Sequence, residues 1–127
     1  MAERKLIVHE QPKSPTAEAY RTLRTNLQFA KVDGELKTVM FTSAGPGEGK
    51  STITANTAVA LAQSGRKVII LDCDLRKPIQ HKIFNKSNKG VTNILVEHLN
   101  IDDHIQETGI ENLLLVASGP IPPNPSE

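Results

Sequence analysis

The residues of this chain best suited to chemistry lie in a glycine-rich loop, residues 44–52, with the sequence AGPGEGKST. The loop follows a short apolar run, residues 38–42, and leads into an alanine-rich stretch. A strand, a glycine-rich loop ending in Gly-Lys-Ser-Thr and then a helix form the arrangement typical of a phosphate-binding loop. That context favours a phosphate site over an ordinary glycine-rich turn.

Each part of this loop has a physical role toward a triphosphate. The glycines allow the backbone to turn tightly and to direct N–H groups inward, and the following helix adds its positive N-terminal end. Lys50 brings a full charge to the β- and γ-phosphates, and Ser51 or Thr52 offers a hydroxyl to Mg²⁺. One departure is Ala44, which stands where the general pattern has its first glycine. The residues predicted to bind nucleotide are Gly45, Pro46, Gly47, Glu48, Gly49, Lys50, Ser51 and Thr52.

Two carboxylates follow the next apolar run, residues 68–71. Asp72 and Asp74 stand where that strand ends, and ligands of parallel α/β sheets bind beyond the carboxyl ends of the strands. If the chain stays extended, both side chains leave on the same side and repel each other unless a cation lies between them. We expect one to hold Mg²⁺ or its water and the other to accept a proton from an attacking hydroxyl. The alternative is that both are solubilising residues at the end of the strand, which could also cap the next helix.

The composition of the chain excludes several classes of function. The chain has 127 residues and a net charge of +1, so it forms one domain at most and carries no strong field for nucleic acid or membrane. Its single cysteine, Cys73, suits a reducing cytosol. No apolar run approaches the ~20 residues of a membrane span, and the first residues lack the apolar segment of a secretion signal. The four histidines show no metal-ligand spacing.

The pattern of apolar residues predicts alternating strands and helices. Residues 1–14 are interpreted as a leader, in which residues 6–8 add a short strand or dock on the body. A helix over 16–30 is expected to bury Ala19, Leu23, Leu27 and Ala30. Residues 37–42 and 68–71 are predicted to be parallel strands, the second covered on both faces, on either side of a helix over 49–64 that ends at Gly65. Short helices are expected over 78–84, 91–99 and 102–107, and a third strand over 113–116.

Four motifs in order resemble those of the bacterial tyrosine kinases, the P-loop kinases that govern capsule and exopolysaccharide export. Residues 18–24 resemble their Glu-x-x-Arg-x-x-Arg oligomerisation motif, through Glu18, Arg21 and Arg24. Residues 41–52 resemble their Walker A motif, and residues 69–76 their Walker A′ motif. Residues 119–127, with the sequence GPIPPNPSE, are also similar to a segment of that family.

The resemblance implies a fold and an activity. The fold is an α/β P-loop NTPase, a parallel sheet with flanking helices in three layers, occupying residues 15–127 with helix 16–30 as the oligomerisation element. The activity is autophosphorylating, ATP-dependent protein tyrosine kinase activity, with ATP and Mg²⁺ as cofactors. Lys50, Asp72 and Asp74 would be catalytic, and Ser51, Asp72 and Asp74 would hold the metal.

The resemblance also implies partners and a location. The kinase would form a homo-oligomeric ring through Glu18, Arg21 and Arg24, and its substrates would be protein tyrosines. The cytoplasmic tail of a membrane protein would activate it, so that a cytoplasmic protein is recruited to the inner face of the membrane. No nucleic acid partner is implied.

Two features of the family are not found in this sequence. A Walker B strand ending in Asp should follow the third strand, and a tyrosine-rich tail should end the chain, yet Tyr20 is the only tyrosine. The sequence is therefore interpreted as the N-terminal portion of a kinase, incomplete at the C-terminus. A Min/Par-type partition ATPase is an alternative, although those proteins carry an extra Lys at the position of Gly45. A non-catalytic nucleotide-binding assembly module is another.

Overall fold

The computed structural model describes residues 6–30, 37–42, 49–98, 100–121 and 123. Five α-helices, one 3₁₀ helix and three strands occur within these ranges. In chain order they are α1 (Ile7–Glu10), α2 (Pro15–Gln28), α3 (Lys50–Gln63), β1 (Val68–Leu71), α4 (Gln80–Ile83), α5 (Val91–Glu97), the 3₁₀ helix (Ile101–His104), β2 (Gln106–Glu107) and β3 (Leu113–Val116).

Helix α2 begins at a sequence signal that favours helix initiation. The Ser14 side chain accepts a hydrogen bond from the backbone N–H of Ala17 at 3.1 Å, and Pro15 occupies the first helical position. The predicted helix is confirmed, but its buried stripe is wrong in part. Ala17 is buried, while Ala19 and Ala30 are exposed. The apolar face of α2 is rotated from the predicted one, because it includes Ala17, Tyr20 and Leu27, which lie at helical spacing.

Helix α3 is the central element of the described fold. It packs against α1 and α2 on one side and against β1 and β3 on the other, and Ala55, Val59 and Ala60 are fully buried. Small side chains allow this close approach on both sides. The helix ends as predicted, because Gly65 follows the C-cap with a φ of 95°, a conformation that favours glycine.

The sheet has the order β1-β3-β2. Strands β1 and β3 pair in parallel, with Val68 opposite Leu113 and Leu71 opposite Val116. Strand β2 pairs antiparallel to β3, with Gln106 opposite Leu115. The sheet is therefore mixed. The prediction that residues 102–107 form one short helix is wrong for Gln106 and Glu107, which form β2. Gln106 and Glu107 find backbone partners on β3 instead of continuing the 3₁₀ turn.

The strand predicted over 37–42 is not formed. These residues join no ladder, and Met40 is exposed. An apolar run becomes a strand only when a neighbour takes its backbone hydrogen bonds. Here β1 occupies one edge of β3, and β2 occupies part of the other edge. The direct parallel pairing of 37–42 with 68–71 is therefore wrong, and β3 is the partner of β1.

Strand β1 is covered on one face only. Ile70 is buried against α3, whereas Ile69 and Leu71 are 49% and 53% exposed. The prediction of a strand covered on both faces is wrong for the described residues, because the face that carries Ile69 and Leu71 stays exposed. A continuous apolar run does not distinguish a strand buried on both faces from one with an open apolar face.

The leader docks on the body as a short helix and not as a strand. Val8 of α1 is fully buried, and its backbone N–H donates to Asn56 Oδ1 of α3 at 3.1 Å. The Asn56 side chain also donates to the carbonyl of Thr52 at 3.0 Å. One buried amide thus joins the leader to the first turns of α3. None of the helices in the described ranges is long and apolar enough to cross a membrane.

Candidate phosphate-binding site

The N-terminus of α3 lies where the sequence predicted it. Gly49 is the N-cap, with φ 77° and ψ 12°, a left-handed conformation that L side chains adopt only with strain. Lys50, Ser51 and Thr52 form the first turn, whose N–H groups lack partners within the helix. The predicted residues Gly45, Pro46, Gly47 and Glu48 lie outside the described residues.

Asp72 is buried at the carboxyl end of β1, and it organises the loop that follows. Its Oδ1 accepts the backbone N–H of Asp74 at 3.1 Å. Its Oδ2 accepts the N–H groups of Ile79 and Gln80, both at 3.1 Å, at the start of α4. The helix-capping alternative from the sequence therefore holds for Asp72. Since a carboxylate oxygen has two lone pairs, Oδ1 keeps one acceptor position.

Asp74 lies nearer the surface and faces α3. Its Oδ1 accepts the backbone N–H groups of Arg76 at 3.2 Å and Lys77 at 3.0 Å. Partial burial acts to raise the pKa of Asp74, but these two hydrogen bonds and the charge of Lys50 outweigh it and hold the pKa below its ordinary value. Asp74 is therefore ionised at neutral pH and available to a cation.

Lys50 and Asp74 meet across the gap between α3 and β1. Lys50 Nζ lies 3.5 Å from Asp74 Oδ2, and both side chains remain about one-third exposed. The pair spans 24 residues of sequence and brings together the two motifs that the sequence analysis singled out. A cationic side chain, a left-handed glycine N-cap and an accessible carboxylate fit the phosphates and the metal of a nucleotide. Among the described residues, no group of three or more His, Cys, Asp or Glu side chains is placed to hold a metal ion.

Two buried polar residues near this site were not predicted. Gln80 Nε2 donates to the carbonyl of Ser51 at 3.1 Å, and Ser118 Oγ donates to the carbonyl of Asp74 at 3.3 Å. Ser118, which follows β3, is fully buried. Sequence spacing gave no signal for either contact, because their partners lie 29 and 44 residues away.

The predicted oligomerisation residues make contacts within the chain. Arg21 pairs with Glu18 at 3.0 Å and also donates to the carbonyl of Pro12. Arg24 Nη1 donates to the carbonyl of Ala60 at 2.9 Å. Arg21 and Arg24 are therefore both engaged within the chain, since α2 packs on α3 and the Arg24 side chain reaches across. Glu18 stays 70% exposed.

Comparison with known families assigns the class. The family described as the CobQ/CobB/MinD/ParA nucleotide binding domain matches residues 39–118, which is more than half of the chain. The chain belongs to this family. The match covers Lys50, Asp72 and Asp74, and it confirms the predicted α/β P-loop fold class.

Within that class, the chain is similar to bacterial tyrosine kinases. It is 48% identical to the tyrosine-protein kinase YwqD of Bacillus subtilis over 98% of this chain and 53% of that protein. The chimerical protein CapA2B2 has a similar structure, with a TM-score of 0.89 and 53% identity over 96% of this chain and 54% of that one. The kinase domain of the Escherichia coli tyrosine kinase ETK also has a TM-score of 0.89, at 33% identity over 99% of this chain and 50% of that one.

These relatives confirm the resemblance to bacterial tyrosine kinases. The chain spans about half the length of each of them.

Proposed function

We propose that this chain forms the ATP-binding part of a protein tyrosine kinase that autophosphorylates and regulates capsular or exopolysaccharide synthesis and export. The observation that carries the proposal is the approach of Lys50 Nζ to Asp74 Oδ2, at 3.5 Å, at the head of α3. Phosphoryl transfer needs a cation on the phosphates and a carboxylate near the metal, and this pair supplies both. The kinase names of the relatives support the choice of reaction.

In this proposal each of the four described site residues has its own role. Lys50 would leave Asp74 for the β- and γ-phosphates of a bound nucleotide. The Ser51 hydroxyl would hold Mg²⁺, and Asp74 would act on that ion through water. Asp72 keeps one lone pair on Oδ1 for the metal or for the proton of an attacking tyrosine hydroxyl. Bound Mg²⁺ neutralises charge on the phosphates, while three backbone N–H groups hold Asp72 in place.

Partners and location belong to the same proposal. The kinase would assemble as a ring of identical subunits, with Glu18 as the most accessible residue of its motif. The cytoplasmic tail of a membrane activator would recruit it to the inner face of the membrane. Its substrates would be protein tyrosines, with no role for nucleic acid.

A partition ATPase of the Min/Par type is a second candidate, because the matching family includes MinD and ParA. Gly45 argues against it, since those proteins carry a Lys at this loop position. A non-catalytic assembly module that binds nucleotide is a third. Transfer of labelled phosphate to a tyrosine of an added protein substrate supports the kinase, release of free phosphate alone supports the ATPase, and binding without either supports the assembly module.

The direct test is the substitution Lys50→Met. A hydrogen bond to a charged group contributes about 1.5–3 kcal/mol, so affinity for an Mg²⁺–ATP analogue should fall roughly ten- to a hundredfold. Lys67→Met is a matched control, because Lys67 is exposed at the opposite end of β1. Equal affinity of the Lys50 variant and the unaltered chain would rule out the proposed site.

A further inference from the structure

Gln80 connects the two halves of the proposed phosphate site. Its backbone N–H donates to Asp72 Oδ2 at 3.1 Å, and its side-chain Nε2 donates to the carbonyl of Ser51 at 3.1 Å. One residue therefore bonds both to the carboxylate after β1 and to the first turn of α3. Residues 51 and 72 are 21 positions apart in sequence, so their separation depends on contacts of this kind.

The environment of Gln80 indicates that its side-chain amide does more than pack against its neighbours. The residue is only 4% exposed, and its Oε1 is buried without a hydrogen-bond partner in the described part of the chain. A buried amide that leaves one acceptor unsatisfied costs free energy that an apolar side chain of similar size avoids. The amide orientation is fixed by the Ser51 carbonyl, which can only accept, so Oε1 cannot exchange places with Nε2.

We infer that Gln80 is a positioning residue, which holds Ser51 and Asp72 at a set separation so that Mg²⁺ with nucleotide meets a preformed site. This inference rests on the proposed nucleotide-binding function. Gln80 touches neither phosphate nor metal in this role. It acts through Ser51, whose hydroxyl is proposed to face the ion, and through the carboxylate of Asp72. Removing the side-chain amide should therefore weaken the metal-dependent part of nucleotide binding more than the metal-independent part.

The test uses the 127-residue chain with the substitution Gln80→Met, which keeps length and volume and removes the amide. Gln63→Leu is the matched control, since Gln63 lies on α3 and its Nε2, like that of Gln80, donates to a backbone carbonyl, that of Val8 at 3.5 Å. Affinity for a fluorescent ADP analogue is titrated with Mg²⁺ and with a chelator, and the melting temperature is measured on each variant.

We expect Gln80→Met to weaken binding about tenfold with Mg²⁺ and little with chelator, while Gln63→Leu leaves the ratio of the two affinities unchanged. Gln80→Leu repeats the test with a different shape if the Met variant does not fold. A lower melting temperature with an unchanged Mg²⁺ effect would overturn the inference and make Gln80 a packing residue. If the unaltered chain binds no nucleotide in either condition, the proposed function fails first and the inference with it.

Discussion

Arg24 of α2 caps the C-terminus of α3 through Ala60. The guanidinium Nη1 donates to the Ala60 carbonyl at 2.9 Å, and Ala60 belongs to the last turn of α3, where carbonyls lack partners within the helix. A cation at this end of a helix is also favoured by the helix dipole. The helix that begins at the phosphate site is thus held at its far end by a residue of the predicted oligomerisation motif.

Arg24→Ala is therefore expected to destabilise the fold. The loss of a charged hydrogen bond to a partly buried carbonyl should lower the free energy of unfolding by about 1–2 kcal/mol. Urea unfolding measures this, with Glu18→Ala as a control that removes only an exposed ion pair and should change stability by less than about 1 kcal/mol. Equal stability of the Arg24 variant and the unaltered chain would contradict the capping role.

Assembly is better tested at Glu18 than at Arg24, because the Glu18 side chain pairs with Arg21 on its own helix whereas Arg24 bonds to α3. Glu18→Ala should reduce the mass of any oligomer and leave the melting temperature nearly unchanged. Light scattering after size-exclusion chromatography measures the mass. An oligomer of unaltered mass would show that Glu18 does not contribute to the interface.

Asp72 and Asp74 should differ in their effect on stability. Asp72→Asn places an amide NH₂ among three backbone N–H donors in a buried position, and we expect a loss of about 1–3 kcal/mol. Asp74→Asn is the matched control, since Asp74 is more accessible and should cost less. Thermal unfolding of both variants provides the comparison, and equal losses would mean that the Asp72 contacts contribute little.

Acid should remove the contribution of Asp74 to stability. Its folded pKa lies below the ordinary value of 3.8, so the ionised form stabilises the fold above that value, and the contribution is lost as the pH falls through the lower folded pKa. Stability should therefore fall as the pH drops from the ordinary value of 3.8 through the lower folded pKa, and part of that fall should vanish in Asp74→Asn. Denaturant titrations at stepped pH measure both slopes. Identical slopes would argue against the Lys50–Asp74 pair.

Tyr20 should not be a phosphate acceptor. It is the only tyrosine of the chain, it packs against the core from α2, and burial raises the pKa of its phenol. A helical, half-buried hydroxyl cannot easily enter the site of another subunit. Mass spectrometry after incubation with Mg²⁺–ATP should find Tyr20 unmodified. Extensive modification at Tyr20 would contradict its role as a packing residue.

The sequence predicted the start of α3 better than it predicted the sheet. The start of α3 at Lys50 was recognisable from the order of apolar run, glycine-rich loop and alanine-rich stretch. The strands of residues 68–71 and 113–116 were recognisable from their apolar runs. The run over 37–42 looks equally strand-like, yet strand formation depends on which edge of β3 is available, and local sequence does not encode that. The contacts of Gln80 with Ser51 and of Asn56 with Val8 depend on packing between distant segments, so no spacing rule could find them.

The buried bond between Val8 and Asn56 also sets an order of events during synthesis. The two residues are 48 positions apart, so at a translation rate of about 5–20 residues per second Val8 is made roughly 2–10 s before its partner. Helix α2 is made earlier and also contacts α1, but the buried partner of the Val8 N–H comes only with α3. The leader therefore completes its packing only after α3 exists, and slower translation would prolong its exposure to chaperones and proteases.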